Sequence, residues 1–179
     1  MVRVTVSGHP GSGTSTLVAG LCEFRNWSSV NGGQIFREEA ARQGISLEDF
    51  SRMCKEDERV DRELDSMLKD RMTMTEGPEV VESRLAGWWA HHLELDCLRV
   101  WLEVSETERA TRVVNREGGT LEEQRARGSQ RIMSDAARYR QLYDIDLDCK
   151  DPYNCILEAD TLSASDVLAT TLTHLEAIE

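Results

Sequence analysis

Gly8-His9-Pro10-Gly11-Ser12-Gly13-Thr14-Ser15-Thr16 places three glycines in a short loop that ends in a run of hydroxyl side chains. Glycines tolerate positive φ and carry no Cβ, so such a loop wraps backbone N–H groups around phosphate oxygens where a helix begins. The spacing is that of the phosphate-binding pattern GxxxxGK(S/T), except that Thr14 stands in the lysine position. That lysine normally brings a mobile positive charge to the β- and γ-phosphates. The first lysine here is Lys55, well outside the loop, so another cation must neutralise those phosphates or the loop no longer drives catalysis. A tight strand-to-helix turn that binds nothing is the alternative.

The cations available are almost all guanidinium: of 21 basic residues only Lys55, Lys69 and Lys150 are lysines. Arg37 follows one strand-like run within Asn31–Arg37, and Arg84 follows another within Glu82–Trp88; both are expected in the first turn or so of a helix facing the loop. Two such arginines opposite a bound triphosphate point to a second phosphate group, because the guanidinium fork suits bidentate phosphate contact. Arg109, Arg112 and Arg116 share one helical face, and Arg112 reads as a solvated partner of Glu108. Arg131, Asp135 and Arg138 share another face, where a small-molecule kinase would close a lid on phosphates. Of the remaining conspicuous residues, one of Trp88 and Trp89 is expected in the core and its neighbour near a nucleoside. His91 and His92 read as a helix end, Trp101 as core, and Tyr139, Leu142 and Tyr143 as packing for a long helix.

These residues require a scaffold of alternating elements. Strand-like runs fall at Val2–Ser7, Trp27–Val30, Glu79–Glu82, Leu98–Val104 and Asn154–Glu158, separated by helix-period segments beginning with Leu17–Phe24. That alternation predicts a parallel sheet with helices on both faces, and ligands beyond the carboxyl ends of its strands. Ser46, Ser105 and Thr120 each stand three residues before a carboxylate and mark helix starts. Leu121–Tyr143 reads as one long helix that Gly128 breaks or bends.

A chain of 179 residues suits a single domain. It has no long apolar stretch and no charged-then-apolar leader, so a soluble, intracellular protein is expected. Its net charge of −12 argues against nucleic-acid polymers and anionic membranes as partners, and means that a phosphate substrate needs a local basic funnel. Acidic excess with scarce lysine fits a salty cytoplasm, where repulsion is screened, and equally a GC-rich coding bias. Cys22, Cys54, Cys97, Cys149 and Cys155 form no CxxC pair and read as free thiols rather than a zinc site.

Taken together, the chain resembles cytidylate kinases of the archaeal type, a branch of the nucleoside-monophosphate kinases within the P-loop superfamily. The likeness runs through the glycine loop, Gly33-Gln34-Ile35-Phe36-Arg37-Glu38, Ser46-Leu47-Glu48-Asp49-Phe50-Ser51, Asp61-Arg62-Glu63-Leu64-Asp65, Glu82-Ser83-Arg84-Leu85-Ala86-Gly87-Trp88, and Arg138-Tyr139 with Tyr143-Asp144-Ile145-Asp146. It implies an α/β, three-layer P-loop kinase fold over residues 1–179, with five parallel strands, acceptor-binding helices at about 31–75 and a helical lid at about 116–138. It also implies ATP-dependent, magnesium-assisted phosphorylation of CMP and dCMP by a cytoplasmic monomer; UMP, AMP or shikimate as acceptor, or a regulator that has lost transfer, are the alternatives. Residue by residue, Gly8 to Thr16 would bind ATP, and Ser15 would ligate Mg²⁺. Arg116, Arg131, Arg138 and Glu82 would act on the transferred group. Gly33, Phe36, Arg37, Arg84, Gly87 and Asp135 would bind the acceptor. The likeness departs at Ser129, where a lid arginine is expected, and at Met133 and Ala137; Arg125 or Arg127 could restore the lost charge.

Overall fold

The computed structural model describes the backbone of residues 1–179 and the side chains of all but Ser51, Lys55 and Glu56. The Ser51 and Lys55 side chains named above therefore lie outside the described residues. Strands β1 (Val4–Gly8), β2 (Ser29–Asn31), β3 (Val80–Glu82), β4 (Leu98–Glu103) and β5 (Cys155–Glu158) form one parallel sheet in the order β2-β3-β1-β4-β5. The five runs read from the sequence are all present, with ends that differ by one or two residues: all but β4 start later, and β1 and β2 each run one residue further. Central β1 is buried along its whole length, which is why its apolar run does not simply alternate with exposed residues. Its buried Ser7 is satisfied locally: Oγ donates to the Ser83 carbonyl at 2.8 Å and accepts from the Gly87 N–H at 3.4 Å.

Neighbouring strand residues face opposite layers. Val80 joins the core under α1 (Thr14–Arg25) and α8 (Ala164–Glu176) with Val4, Val6, Leu21, Val100 and Leu175, whereas Val81 joins Val30, Ile35, Leu68, Met72 and Trp89. The second core lies beneath α2 (Gly32–Gln43), α4 (Glu58–Thr73) and α5 (Ala86–His92), and receives Tyr139 from α7 (Leu121–Tyr143). Helix α3 (Leu47–Glu56) adds fully buried Phe50, whose ring lies 4.8 Å from that of Phe36.

Helix α6 (Glu106–Glu117) begins at Ser105, which caps it through the Glu108 N–H, and Ser46 caps α3 likewise through Asp49. Thr120 and Glu123 form a reciprocal capping box on α7. Ser163 and Asp166 form another on α8 that the sequence reading did not single out. Helix α7 runs without interruption through Gly128, so no break falls there. A Cβ at Gly128 would meet no atom within 4 Å. Helix propensity over 23 residues, with α6 packed alongside, outweighs one glycine.

Candidate active site

The glycine loop lies between β1 and α1, where the strand order turns back on itself beside β1. Gly11 and Gly13 adopt φ of 87° and 95°, and a Cβ on Gly11 would also lie 2.9 Å from the Arg109 carbonyl oxygen. Gly13 caps α1 without any side-chain hydrogen bond, so the first N–H groups of the helix remain available to an anion.

Arg112 is not the solvated residue expected. It does pair with Glu108 at 2.8 Å, but its Nη1 donates to the Ser12 carbonyl at 3.0 Å and its Nη2 to the Ala159 carbonyl at 2.5 Å. The side chain thus ties the loop to the end of β5 and the start of α6. A helical face cannot reveal this, because both carbonyls come from elsewhere in the chain.

Two cavities meet beneath α7. The first contains Pro10, Gly11, Thr14 and Ser15 of the loop and is lined by Arg84, Arg109, Arg116, Arg125, Arg127 and Arg131. Against these six arginines stand Glu82, Glu106 and Glu117. Arg125 is bound to Glu106 and Arg116 to Glu117, whereas among the described residues neither Arg127 nor Arg131 has an ion-pair partner. Ser129, in place of the expected lid arginine, donates to Glu106 and helps fasten α7 to α6.

The second cavity, 530 Å³, brings Gly33, Phe36 and Arg37 of α2 opposite Asp61, Leu64, Asp65 and Leu68 of α4. Arg84, Arg131, Asp135, Arg138 and Tyr139 complete it from β3's end and α7. Arg84 precedes α5 rather than lying in its first turn; its Nε donates to Asp135 at 3.2 Å and its Nη1 to the Gly8 carbonyl at 3.2 Å. Arg138 donates to the Tyr139 hydroxyl at 2.7 Å and lies 3.4 Å from Asp61 and 3.5 Å from Asp135. It lines this cavity but not the first. Burial pushes the Asp61 and Asp65 carboxyls upward, against the pull of Arg138, and raises the Tyr139 phenol to about 12.

Ser15, Glu82, Arg84 and Arg131 line both cavities and mark their junction. There the Ser15 hydroxyl donates to Glu82 Oε1 at 2.8 Å.

Other expected contacts fall elsewhere. Gly87 lines neither cavity: a Cβ on it would sit 2.2 Å from the Tyr153 ring, so its small size serves helix packing. His9 turns beneath the loop, its ring edge-on to Trp101 at 5.2 Å. Burial, with Arg109 and Lys150 adding repulsion, lowers its pKa to about 4. Trp89 is core, but Trp88 packs against His92 and lines neither cavity, which removes the expected nucleoside contact.

Sequence reasoning also missed a third hollow, on the other side of the loop. It lies between Leu17, Leu102, Leu162, Ala164 and Val167, with Glu108 and Arg112 at its polar edge. Its lining comes from four separate segments, so no single stretch of the sequence signals it.

A family described as AAA domain matches residues 7–133. The chain is 36% identical to the cytidylate kinase of Natronomonas pharaonis, over 93% of this chain and 85% of that protein. It is also 36% identical to the cytidylate kinase of Haloarcula marismortui, over 97% and 89%. The chain belongs to the cytidylate kinase family. Its fold is also that of a solved gluconokinase from Sinorhizobium meliloti, with a TM-score of 0.63 at 16% identity over 99% of this chain and 93% of that one. This last likeness concerns the fold alone. Among the described residues, no helix is long and apolar enough to cross a membrane.

The family's phosphoryl donor brings a divalent cation into question. Among the described residues no group of three or more His, Cys, Asp or Glu could hold one. Ser15 and Glu82 supply two hard oxygen donors, which suits Mg²⁺, an ion that takes one or two protein oxygens and completes its shell with phosphates and water.

Proposed function

We propose that the protein transfers the γ-phosphoryl group of ATP to the phosphate of CMP or dCMP. The observation that carries this reading is the junction of the two cavities at Ser15, Glu82, Arg84 and Arg131. A donor held by the glycine loop and an acceptor monophosphate held by Arg37 and Arg84 would present their reacting groups to each other there. One bond forms, from a CMP phosphate oxygen to the γ-phosphorus. One bond breaks, from the γ-phosphorus to the oxygen bridging it to the β-phosphorus, and ADP leaves. The attacking oxygen is already anionic, so no general base is needed and the chain's task is alignment and charge neutralisation.

The loop amides from Gly11 to Ser15 would hold the β-phosphate, and Ser15 with Glu82 would hold Mg²⁺, which supplies charge neutralisation to the phosphates when bound. Arg131, which has no ion-pair partner among the described residues and lines both cavities, is the cation best placed to do the missing lysine's work. Arg127 and Arg116 reinforce it from the donor side. Arg138 holds the acceptor side through Asp135 and Asp61. The hollow beside Leu17 and Leu162 would take the donor base. Residues of about 31–75 form the acceptor wall, and the α6–α7 hairpin, turning at Gly118 and Gly119 with φ of 79° and 86°, would act as the lid. All of these groups come from one chain, so transfer requires no second copy, in keeping with a cytoplasmic monomer.

The test is product formation from ATP and Mg²⁺ against a panel of CMP, dCMP, UMP, AMP and shikimate. CDP and dCDP are the expected products. Absence of transfer to every acceptor at low and at multimolar salt, with ATP still binding, would instead support a nucleotide-binding regulator.

A further inference from the structure

We propose that Arg112 is a positioning residue for phosphoryl transfer: it pins the Ser12 carbonyl on the outer side of the glycine loop and so aims the Gly13 N–H at the donor phosphates. The inference rests on the loop as the donor-phosphate site in the reading above, and traces the loop's geometry to a side chain outside the donor cavity.

Arg112 differs from its neighbours on α6. Arg109 and Arg116 line the donor cavity, whereas Arg112 borders the hollow on the other side of the loop. All three of its nitrogens are engaged there: Nε donates to Glu108 at 2.8 Å, Nη1 to the Ser12 carbonyl at 3.0 Å and Nη2 to the Ala159 carbonyl at 2.5 Å. The adjoining Glu108 carboxylate offsets its charge, so little attraction is left over for a phosphate on the far side of the loop. What the residue offers is a planar fork fixed at three points, joining the loop to the end of a strand.

The loop needs such a hold. Gly11 and Gly13 take φ of 87° and 95°, and glycine loses more conformational freedom on being fixed than any other residue. Among the described residues Arg112 is the only donor to the Ser12 carbonyl, and the buried Ser12 hydroxyl has no partner with which to hold the loop itself. A trans peptide is planar, with the C=O of one residue and the N–H of the next pointing in opposite directions. A Ser12 carbonyl drawn to Arg112 therefore turns the Gly13 N–H the other way, to the side where Gly11, Thr14 and Ser15 line the donor cavity. That N–H has no partner among the described residues, as an anion-binding amide at a helix start requires. Freed of Arg112, this peptide can rotate, and an oxygen facing the cavity repels phosphate where the N–H would bind it.

The experiment titrates inorganic tripolyphosphate and ATP, each with Mg²⁺, into the wild type, Arg112→Lys and Arg112→Met by calorimetry, with thermal melts for each. Methionine keeps an apolar stem and removes every donor; lysine keeps the charge but puts one point donor in place of the fork. Arg112→Met should weaken both ligands about 10- to 50-fold, and Arg112→Lys about 3- to 10-fold, the cost of misaiming an amide that binds a charged group. The ratio of the two affinities should stay within about twofold, because both ligands lose the same hydrogen bond. In amide NMR spectra the Gly13 signal should shift when tripolyphosphate is added to the wild type and shift less in the variants. The assignment is overturned if tripolyphosphate binds all three proteins alike while ATP weakens, which would make Arg112 a direct contact of the donor base. It is overturned equally if Arg112→Lys binds as the wild type does and only Arg112→Met fails, which would leave a charge effect, or if melting temperatures fall with both affinities unchanged. Should Arg112→Met not fold, the lysine variant, which keeps the stem and the charge, decides by the same criteria. A wild type that binds tripolyphosphate but transfers to no acceptor defeats the CMP reading and leaves the role of Arg112 standing.

Discussion

The donor and acceptor cavities share four residues yet are built on opposite electrostatic plans. Six arginines face three glutamates around the glycine loop, whereas four arginines face four carboxylates in the acceptor cavity. Among the described residues Arg127 and Arg131 on the donor side have no ion-pair partner; on the acceptor side Arg84 and Arg138 are tied to Asp135 and Asp61 before any ligand arrives, and Arg37 alone joins Arg131 in having none. An unpaired guanidinium in an otherwise acidic chain is a charge held ready for the triphosphate, the more highly charged partner. A paired one is a fixed donor array, suited to orienting a nucleotide by its edges. The lysine absent at Thr14 is thus offset by a surplus on one side of the junction and not by a general excess of cations.

The most severe way to break this contrast is to remove its shared cation. Arg131→Ala should lower kcat by about 10²- to 10³-fold, the usual cost of losing one preorganised donor to a developing charge. Steady-state kinetics with saturating CMP would check it. If Arg131→Ala is mild and Arg138→Ala carries the loss, the neutralising charge lies on the acceptor side and the contrast is misdrawn.

Restoring the lysine probes the same surplus from the other direction. Thr14→Lys adds another cation beside six arginines, and kcat should stay level or fall by less than about tenfold, since a further charge there meets repulsion before it meets phosphate. A large gain would mean that the arginines leave the γ-phosphate under-neutralised.

How far the sequence carried these conclusions depends on the range of the contact involved. The glycine loop, all five strands and the capped starts of α3, α6 and α7 were legible, because each rests on neighbours within a few residues. The helical face joining Arg131, Asp135 and Arg138 was legible for the same reason, and Arg37 and Arg84 followed from the rule that ligands sit at strand ends. What failed was long-range. Arg112 reads as solvated until the Ser12 and Ala159 carbonyls are brought to it. Gly87 reads as a ligand contact until Tyr153 is seen against it. The surviving choice between Arg125 and Arg127 turns on Glu106, a residue of another helix that claims Arg125.

The underside of the loop offers a smaller test, because it refuses positive charge while the cavity face collects it. His9 has a pKa of about 4 in the folded protein, against an ordinary value of 6.5, with burial as the main cause and Arg109 and Lys150 assisting. Below pH 6.5 the unfolded chain takes up a proton that the folded chain rejects until near pH 4. Stability present above pH 6.5 is therefore lost progressively as pH falls through that window, by up to about 3 kcal/mol. Urea titrations of the wild type and His9→Gln should show a shallower acid slope for the variant between pH 6.5 and 4. Parallel slopes would mean that His9 protonates as freely in the fold as out of it.

The smallest expected effect concerns the helix that spans both cavities. Gly128 sits inside α7, lines the donor side, and has open space where a Cβ would go. Its φ is not positive, so the backbone gives glycine no reason to be there. Gly128→Ala should therefore stabilise the protein by about 0.5–1 kcal/mol through helix propensity alone. Thermal unfolding reads that gain, and kinetics separates it from function. If the methyl group leaves KM for ATP unchanged, the donor cavity has room to spare at Gly128. If KM for ATP rises while KM for CMP stays fixed, the bare backbone belongs to the phosphate site, and the division between a donor side crowded with cations and an acceptor side balanced by carboxylates extends to the helix that joins them.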